Sequence, residues 1–371
     1  MRRLCLLALA ACVARADVVQ MPGGRIEGKV AFAPDTLQVA GKSLPWGDVL
    51  FVIRDPEGRS IRPPEALRTT RGEVWHAHLA SLAAGRLKAR LPLLGERELD
   101  VAEVQAVDFL PDFAPPEPGD KPGTLYRQKG EPVPGRLMWI DGQRLAIDSP
   151  LGVLTLAREG LARYLFTAAP KLPPAPKGDE VSLLDGTTLR GEARPAKDAL
   201  ELDHPLLGKV AIPGRLVRSV LRRPPGVAWL GEIAPARVNA APLIVRGVPP
   251  EAIEYPAIGG SRAWPGELLA IRGIRMLPKC TATYRLPVLP GQGLAFAATL
   301  WPIEGMRGEV KLRLLAAGKT LAESGVGPSA RPQPLAAEVP RGAELAIEVD
   351  FGPELLFPCG VLLGDPMVVG R

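Results

Sequence analysis

The sequence contains few residues of the kind that catalysis requires. Its only histidines are His76, His78 and His204. A Ser-His-Asp or Cys-His arrangement needs a histidine base held between a nucleophile and an orienting group, so few such arrangements are possible here. His76 and His78 would share one face of a strand, as in part of a zinc site, but the sequence suggests no third ligand. The 40 acidic residues make carboxylate pairs unavoidable, and none is singled out for glycosidase chemistry. We therefore predict no enzymatic activity, no metal and no cofactor.

The residues best suited to ligand recognition are aromatic. A pyranose ring has an apolar face of C–H groups that can stack on an indole, while charged side chains hold its hydroxyl groups. Trp264 and Trp301 lie in segments with proline or glycine, which are typical of ligand-binding loops. We predict that they bind a ligand together with charged residues nearby: Arg262, Glu267 and Glu304. The alternative is that each tryptophan packs against its own domain. Tyr284 alternates within a strand pattern and is predicted to lie in a core.

The elements that must position these residues are short strands. The 41 prolines and 40 glycines are spread between short runs of valine and leucine, which favours turns and strands over long helices. Hydrophobic residues make up 46% of the 371 residues, as in globular proteins, and the length allows two or three domains. Residues 73–84 approach helical spacing and are the best candidate for a helix. The predicted fold class is therefore all-β.

The first sixteen residues are typical of a signal for export. A positively charged start precedes an apolar stretch at residues 4–13, and Ala14 and Ala16 match a small-residue cleavage site. The apolar stretch is too short to cross a bilayer, so we predict no transmembrane segment. We predict an exported protein, located in the periplasm, on the cell surface or outside the cell. Residues 9–12 also fit a lipoprotein signal, in which Cys12 would carry a lipid anchor.

The charge distribution argues against nucleic acid as a partner. The formal net charge is +6, and loss of the three basic residues of the signal would leave 43 basic against 40 acidic residues. The basic residues form no dense run. Proteins that bind nucleic acid concentrate lysine and arginine on one face. We therefore predict that this protein has no nucleic-acid-binding surface.

The sequence between the signal and residue 223 repeats one pattern. A hydrophobic residue precedes a hinge position, a second hydrophobic residue follows the hinge by four positions, and a third comes three positions later. The second position recurs at intervals of 55, 57 and 56 residues, as Val49, Val104, Leu161 and Val217. The third position is occupied by Val52, Val107, Tyr164 and Val220. We predict four copies of one small β-unit, similar in general shape to SH3-like or Sm-like barrels, in which all these positions are buried.

Proline-rich segments indicate where the chain divides. Residues 112–123 and 169–178 are dense in proline and are predicted to be semi-rigid spacers. The predicted divisions are a signal at 1–16, unit 1 at 17–55, unit 2 at 60–112, unit 3 at 122–168, unit 4 at 179–223 and a C-terminal domain at 226–371. A unit of this size buries too little surface to be stable alone, so the units should pack in pairs or in a row.

The C-terminal region has a recognisable order of patterns. Trp229-Leu-Gly-Glu-Ile233 opens it, and Arg272-Gly-Ile-Arg-Met276 leads into the alternating stretch Thr283-Tyr-Arg-Leu286. Alternating runs at residues 308–324 and 343–350 follow, and Gly364-Asp-Pro366 closes it. In this order, residues 226–371 resemble the NPCBM family of carbohydrate-binding modules in secreted bacterial proteins. The resemblance implies a galactose-binding-like β-sandwich, or jelly roll, that binds polysaccharide; the four units resemble no family that we recognise.

Two functions are consistent with these observations. The first is an exported, non-catalytic protein whose module binds glycan of the cell envelope or of the extracellular space. The alternative is a structural or assembly component of the envelope, in contact with envelope proteins, whose module no longer binds sugar. Two departures from the family pattern favour the alternative: Leu277 stands where the family usually has histidine, and Leu362 or Leu363 stands where it has tryptophan.

The C-terminal region contains two cysteines, Cys280 and Cys359. An even number of cysteines in an exported chain favours a disulfide. We therefore predict a bond between these two residues.

Overall fold

The computed structural model describes residues 17–22, 24–54, 62–110, 120–168, 177–241, 253–254, 272–354 and 356–371. These residues form strands, turns and short 3₁₀ turns at Trp46–Asp48, Val101–Glu103, Gly214–Leu216 and Leu230–Glu232. The all-β prediction is confirmed. Within the described ranges, no helix has the length and apolar character needed to cross a bilayer.

Each unit consists of five strands, and in units 1 and 3 the second strand is divided into two. Unit 1 contains β1 (Val18–Met21), β2 (Gly24–Glu27), β3 (Val30–Ala33), β4 (Thr36–Val39), β5 (Lys42–Pro45) and β6 (Phe51–Ile53). Unit 2 contains β7 (Glu65–Thr69), β8 (Val74–Ala83), β9 (Arg86–Leu91), β10 (Gly95–Asp100) and β11 (Val104–Asp108). Unit 3 contains β12 (Thr124–Arg127), β13 (Val133–Pro134), β14 (Arg136–Ile140), β15 (Arg144–Ser149), β16 (Gly152–Ala157) and β17 (Leu161–Leu165). Unit 4 contains β18 (Asp179–Leu183), β19 (Thr188–Ala196), β20 (Ala199–His204), β21 (Gly208–Pro213) and β22 (Val217–Leu221).

The predicted helix at residues 73–84 is wrong, because this segment contains strand β8. Trp75, Ala77 and Leu79 alternate along it and face the core. β8 pairs with β7 on one side and β9 on the other. This pairing satisfies its backbone groups and overrides the weak helical spacing.

Glycine allows the second strand of a unit to pass from one partner strand to the next. In β19 the residues up to Gly191 pair with β18, and those after it pair with β20. A Cβ atom added at Gly191 would lie 2.3 Å from the carbonyl oxygen of Asp203. At Gly135 of unit 3, where φ is +153°, a Cβ atom would lie 2.4 Å from Cγ2 of Ile147. In units 3 and 4 the bend of the second strand therefore requires a residue without a side chain.

The units pair through their last strands. β6 of unit 1 pairs antiparallel with β22 of unit 4, and β11 of unit 2 pairs antiparallel with β17 of unit 3. In both pairs the third repeat position faces its own equivalent, Val52 opposite Val220 and Val107 opposite Tyr164. Each pair therefore has a local two-fold arrangement. The chain does not pack its units in a sequential row, since unit 1 meets unit 4.

The eight predicted repeat positions are all buried, with exposures between 0% and 3%. They belong to one hydrophobic core that all four units share. Their burial is therefore as predicted, and the sharing of one core explains how such small units are stabilised.

The C-terminal region is a sandwich of two antiparallel sheets. Its strands are β23 (Val227–Trp229), β24 (Arg237–Ala240), β25 (Ile253–Glu254), β26 (Gly273–Met276), β27 (Cys280–Tyr284), β28 (Leu294–Pro302), β29 (Val310–Ala316), β30 (Lys319–Val326), β31 (Gln333–Val339), β32 (Leu345–Phe351) and β33 (Val361–Gly370). One sheet has the order β25-β26-β33-β28-β31, with β23 also paired to β33, and the other has the order β24-β27-β32-β29-β30. A second hydrophobic core lies between them.

A third hydrophobic core joins the units to the sandwich. Units 1 and 4 contribute Val18, Leu50, Phe51, Ile53 and Leu221, and the sandwich contributes Trp229, Met367 and Val369. One face of β33 thus packs on the sheet formed by β1, β6 and β22. We call these residues the interface core.

Candidate functional site

Three of the predicted ligand-binding residues, Arg262, Trp264 and Glu267, lie outside the residues that the structure describes. Glu304 is exposed in the turn after β28. The remaining residue, Trp301, lies at a strand position and not in a loop.

Trp301 is only 3% exposed. It lies opposite Leu362 of the neighbouring strand β33. The sequence predicted a loop because proline follows, but Pro302 is the last residue of β28, where a missing N–H is tolerated. The predicted exposed position of Trp301 is therefore wrong, and a buried indole presents no face on which a sugar could stack.

Among the described residues, two further aromatic side chains of the sandwich, Tyr284 and Trp229, are also covered. Tyr284 is 0% exposed and lies in the sandwich core, as predicted. Trp229 is 3% exposed and belongs to the interface core, where its ring centroid lies 6.3 Å from that of Phe51. Trp229 therefore fastens the sandwich to unit 1.

The predicted disulfide is not formed, since Cys280 and Cys359 are both free and buried. Cys280 lies in β27 of one sheet, whereas Cys359 precedes β33 of the other. The even number of cysteines suggested a pair, but both residues are free thiols in the structure. Burial raises the pKa of both thiols.

We expect Cys280 and Cys359 to be unreactive in the folded protein. Their exposures are 1% and 2%, and only the thiolate, which burial disfavours, reacts with alkylating reagents. Iodoacetamide labelling followed by peptide mass spectrometry should modify both residues in denaturant and neither without it. A Cys280–Cys359 disulfide peptide from oxidised protein would contradict this expectation.

The neighbouring histidines do not act as a pair. The side chain of His76 is covered by unit 4, and Thr187 Oγ1 accepts its backbone N–H at 3.0 Å. The Arg62 guanidinium donates to Nε2 of His76 at 3.0 Å, so this nitrogen is not available to a metal. His78 is exposed. Among the described residues, no group of three or more His, Cys, Asp and Glu side chains could hold a metal ion.

His204 forms a buried pair with Glu73. Glu73 Oε1 lies 2.8 Å from His204 Nε2, and both side chains are 0% exposed. His204 Nδ1 accepts the backbone N–H groups of Leu206 and Leu207 at 3.0 and 3.1 Å, so Nε2 carries the proton and donates to Glu73. In a catalytic triad Nδ1 or Nε2, whichever lies away from the carboxylate, faces the nucleophile. That nitrogen is occupied here, and the pair links unit 2 to unit 4.

Five charged residues form a second connection between unit 4 and the C-terminal region. We call them the interface ion cluster; its members are Glu180, Arg190 and Arg223 of unit 4, with Glu232 and Arg272 of the C-terminal region. Glu180 Oε2 lies 2.6 Å from Arg272 Nη2, 2.9 Å from Arg190 Nη2 and 3.5 Å from Arg223 Nη2. Glu232 binds Arg223 and lies 3.5 Å from Arg272 Nε.

Glu180 is the centre of the interface ion cluster and is 5% exposed. Burial alone would raise the pKa of its carboxyl group, but the guanidinium groups of Arg272, Arg190 and Arg223 outweigh it and lower the pKa from 4.5 to about 2. Because Arg272 lies beside the first residue of β26, this carboxylate ties unit 4 to the sandwich.

A cleft of about 270 Å³ opens at one end of the sandwich. Arg285, Arg341 and Glu344 supply its charged groups, and Pro287 and Val288 supply apolar surface. Glu344 Oε1 lies 3.0 Å from Arg285 Nε, with side-chain exposures of 42% and 80%. Val288 is 97% exposed. The cleft therefore combines a carboxylate and guanidinium groups with apolar surface.

Arg341 of the lining and Arg237, which lies beside it, hold groups of the cleft in place. Arg237 Nη2 lies 3.3 Å from Glu344 Oε2, so Glu344 holds two guanidinium groups at the mouth. Arg341 donates to the backbone carbonyl of Leu289 at 3.2 Å and to that of Gly291, which fixes one wall. The charged groups are thus held in place while remaining accessible.

This cleft was not predicted from the sequence. Arg285 follows β27 and Glu344 precedes β32, and the register of these strands places Tyr284 opposite Leu345. The two charged residues are therefore neighbours at the sheet end, although the chain separates them widely. The signal in the sequence was the position of both residues at the ends of clearly alternating strands.

No protein-family model and no curated protein matches this chain. Similar solved structures include the CBM51 module from Clostridium perfringens GH95 in complex with methyl-galactose, with 12% identity, 38% of this chain and 99% of that chain covered, and a TM-score of 0.31. The tandem CBM51 modules of the Streptococcus pneumoniae family 98 glycoside hydrolase have 11% identity and a TM-score of 0.31. The match covers 52% of this chain and 71% of that chain.

A third similar structure contains CBM51-2, in complex with GlcNAc, and INT domains from Clostridium perfringens ZmpB. It has 10% identity, a TM-score of 0.32 and coverage of 52% of this chain, and this chain spans only 40% of its length. All three structures contain carbohydrate-binding modules.

Proposed function

We propose that this chain is an exported, non-catalytic carbohydrate-binding protein whose C-terminal region, residues 226–371, is a module of the NPCBM type. The observation that carries the proposal is the cleft at the sandwich end, where Glu344 lies between two exposed arginines. A carboxylate accepts hydrogen bonds from sugar hydroxyl groups, and a guanidinium group donates to them. The apolar surface of Pro287 and Val288 would contact the C–H groups of the ring.

The proposed role of the units is to support the module. Residues 17–55, 60–112, 122–168 and 179–223 would be copies of one unit that form a rigid base, to which the interface core and the interface ion cluster fasten the sandwich. The cleft lining does not include any residue of the units. Binding to an extended polysaccharide would therefore be possible without rearrangement of the base.

We expect the affinity of this site to be weak and to depend on Glu344. The cleft is open and its lining contains no aromatic residue, so a dissociation constant in the range of about 10 μM to 1 mM is expected. Glu344→Gln should weaken binding at least about tenfold, because hydrogen bonds to a charged group contribute about 1.5–3 kcal/mol. A glycan array should identify the ligand, and titration calorimetry with that glycan, methyl-galactose and GlcNAc should measure it.

The matched control is Glu323→Gln. Glu323 is also a half-exposed glutamate of the sandwich, paired with Lys311 at 2.6 Å, but it lies outside the cleft lining. This variant should bind as the wild type does. Equal effects of the two substitutions, or an array without any bound glycan, would contradict the proposal.

The alternative function, a structural or assembly component of the envelope, is favoured by one observation. Trp229, Tyr284 and Trp301 are all buried, so none of these aromatic residues presents a stacking face. If no glycan binds and Glu344→Gln has no effect on any binding assay, this function replaces the first.

A further inference from the structure

Strand β16 of unit 3 is an edge strand of its sheet. The sheet ends in the order β8-β14-β15-β16, and among the described residues β16 pairs only with β15. Ser149 and Gly152 close the β15–β16 hairpin, so hydrogen-bonded residue pairs alternate from that point. The N–H and C=O groups of Val153, Thr155 and Ala157 therefore point away from β15 towards the open edge.

The equivalent edges of the other units are protected. Aligned on the hinge position, Ala157 corresponds to Pro45, Asp100 and Pro213, the final residues of β5, β10 and β21. The prolines lack an N–H group, and unit 2 also has Glu96 and Glu98 at the outward positions of β10. Proline and charge are the usual means of preventing edge pairing. β16, with the sequence Gly-Val-Leu-Thr-Leu-Ala, has neither.

The surface beside this edge is apolar and exposed. Leu151 at the hairpin tip is 90% exposed, Val153 is 61% exposed and Met138 is 40% exposed. Trp139 pairs with Ala146, which pairs with Thr155, so these three share one face of the sheet. Exposed apolar surface next to open backbone groups marks a site of strand addition.

We propose that β16 pairs antiparallel with β16 of a second copy of this chain, about a two-fold axis at Thr155. In this register Thr155 faces its own copy and Val153 faces Ala157, so every outward group finds a partner and about six backbone hydrogen bonds form. No charged residue occupies an outward position, so self-pairing brings no like charges together.

The chain already uses this geometry internally. Equivalent strands of different units pair antiparallel with equivalent residues opposed, β6 with β22 and β11 with β17. A β16–β16 pair would extend the same rule to two molecules. The shared contact is smaller than a standard interface of about 1,600 Å², so the dimer would be weak, with a dissociation constant on the order of tens of micromolar.

The test is sedimentation equilibrium of the full chain over a range of concentrations, with hydrogen exchange as a second readout. Wild-type protein should dimerise, and the amides of Val153, Thr155 and Ala157 should become protected as concentration rises. The double substitution Val153→Glu and Thr155→Glu, which copies unit 2, should weaken the dimer at least about tenfold, because like charges then oppose each other. Ala157→Pro, which copies units 1 and 4, should do the same by removing an N–H donor.

Ala211→Glu is the matched control, because Ala211 occupies in β21 the position of Thr155 in β16. It adds a carboxylate to an edge that Pro213 already protects, so dimerisation should not change. Thermal unfolding should confirm that all variants are folded. A wild-type chain that stays monomeric, or a dimer that neither the glutamate nor the proline substitution weakens, overturns the inference.

Discussion

Replacement of Glu180 by glutamine is expected to lower the free energy of unfolding by about 3–5 kcal/mol, the cost of removing one member of a buried ion pair. Three guanidinium groups surround this carboxylate, and Arg272 alone places Nη2 2.7 and 2.6 Å from its two oxygens. The amide would leave these cations buried without their counter-charge. Urea unfolding at neutral pH measures the loss.

The matched control for this prediction is Glu192→Gln in the same unit. Glu192 pairs with Arg194 at 2.7 Å, but the two side chains are 64% and 67% exposed. Solvent screens such a pair, so the substitution should change stability by less than about 1 kcal/mol. Similar losses for Glu180→Gln and Glu192→Gln would show that the interface ion cluster does not stabilise the fold.

The stabilisation by Glu180 should depend on pH in a defined direction. The pKa of Glu180 is lowered on folding from 4.5 to about 2, so its contribution is complete above about pH 4.5 and is lost as the pH falls towards about 2. A shift of this size corresponds to about 3 kcal/mol. The difference in stability between wild type and Glu180→Gln should therefore shrink on acidification. A difference that stays constant down to about pH 2 would contradict this assignment.

Trp229→Ala should uncouple the sandwich from the units. Trp229 belongs to the interface core, contacts Phe51 and donates from Nε1 to the carbonyl oxygen of Arg222 at 2.9 Å. Loss of a buried tryptophan side chain lowers the free energy of unfolding by about 3–5 kcal/mol. Here the lost contacts are those that join the core of the units to the core of the sandwich. Scanning calorimetry should resolve two unfolding transitions in the variant, where the wild type shows one.

Trp229→Phe provides the comparison for this prediction. Phenylalanine keeps an aromatic ring beside Phe51 and removes only the hydrogen bond to Arg222, so a loss of about 1 kcal/mol and a single transition are expected. If Trp229→Ala also unfolds in one transition with an unchanged midpoint, the interface core does not couple the two regions.

The two connections have different physical characters. The interface core stabilises by removing apolar surface from water, and this contribution does not depend on pH. The interface ion cluster stabilises the fold through attraction between opposite charges, and this stabilisation is lost when Glu180 is protonated. Acid should therefore weaken the attachment of the sandwich before it weakens either hydrophobic core.

The sequence by itself determined the all-β class and the burial of the repeated positions. Alternation with a period of two is a local property, and it correctly placed Tyr284 in a strand with its side chain in the core. The spacing between Val49, Val104, Leu161 and Val217 was also sufficient to predict that equivalent positions are buried. These predictions succeeded because each depends only on neighbouring residues or on comparison of the chain with itself.

Only the tertiary structure decided which surfaces are covered. Trp301 is buried although a proline follows it, because its strand β28 lies between β31 and β33, and Cys280 and Cys359 stay free although their number suggested a bond. The cleft at Glu344 exists because β27 and β32 pair in one particular register. The pairing of unit 1 with unit 4, and the meeting of Glu180 with Arg272, join residues that are remote in the chain. Such contacts depend on the packing of whole elements, and no local pattern of residue types specifies them.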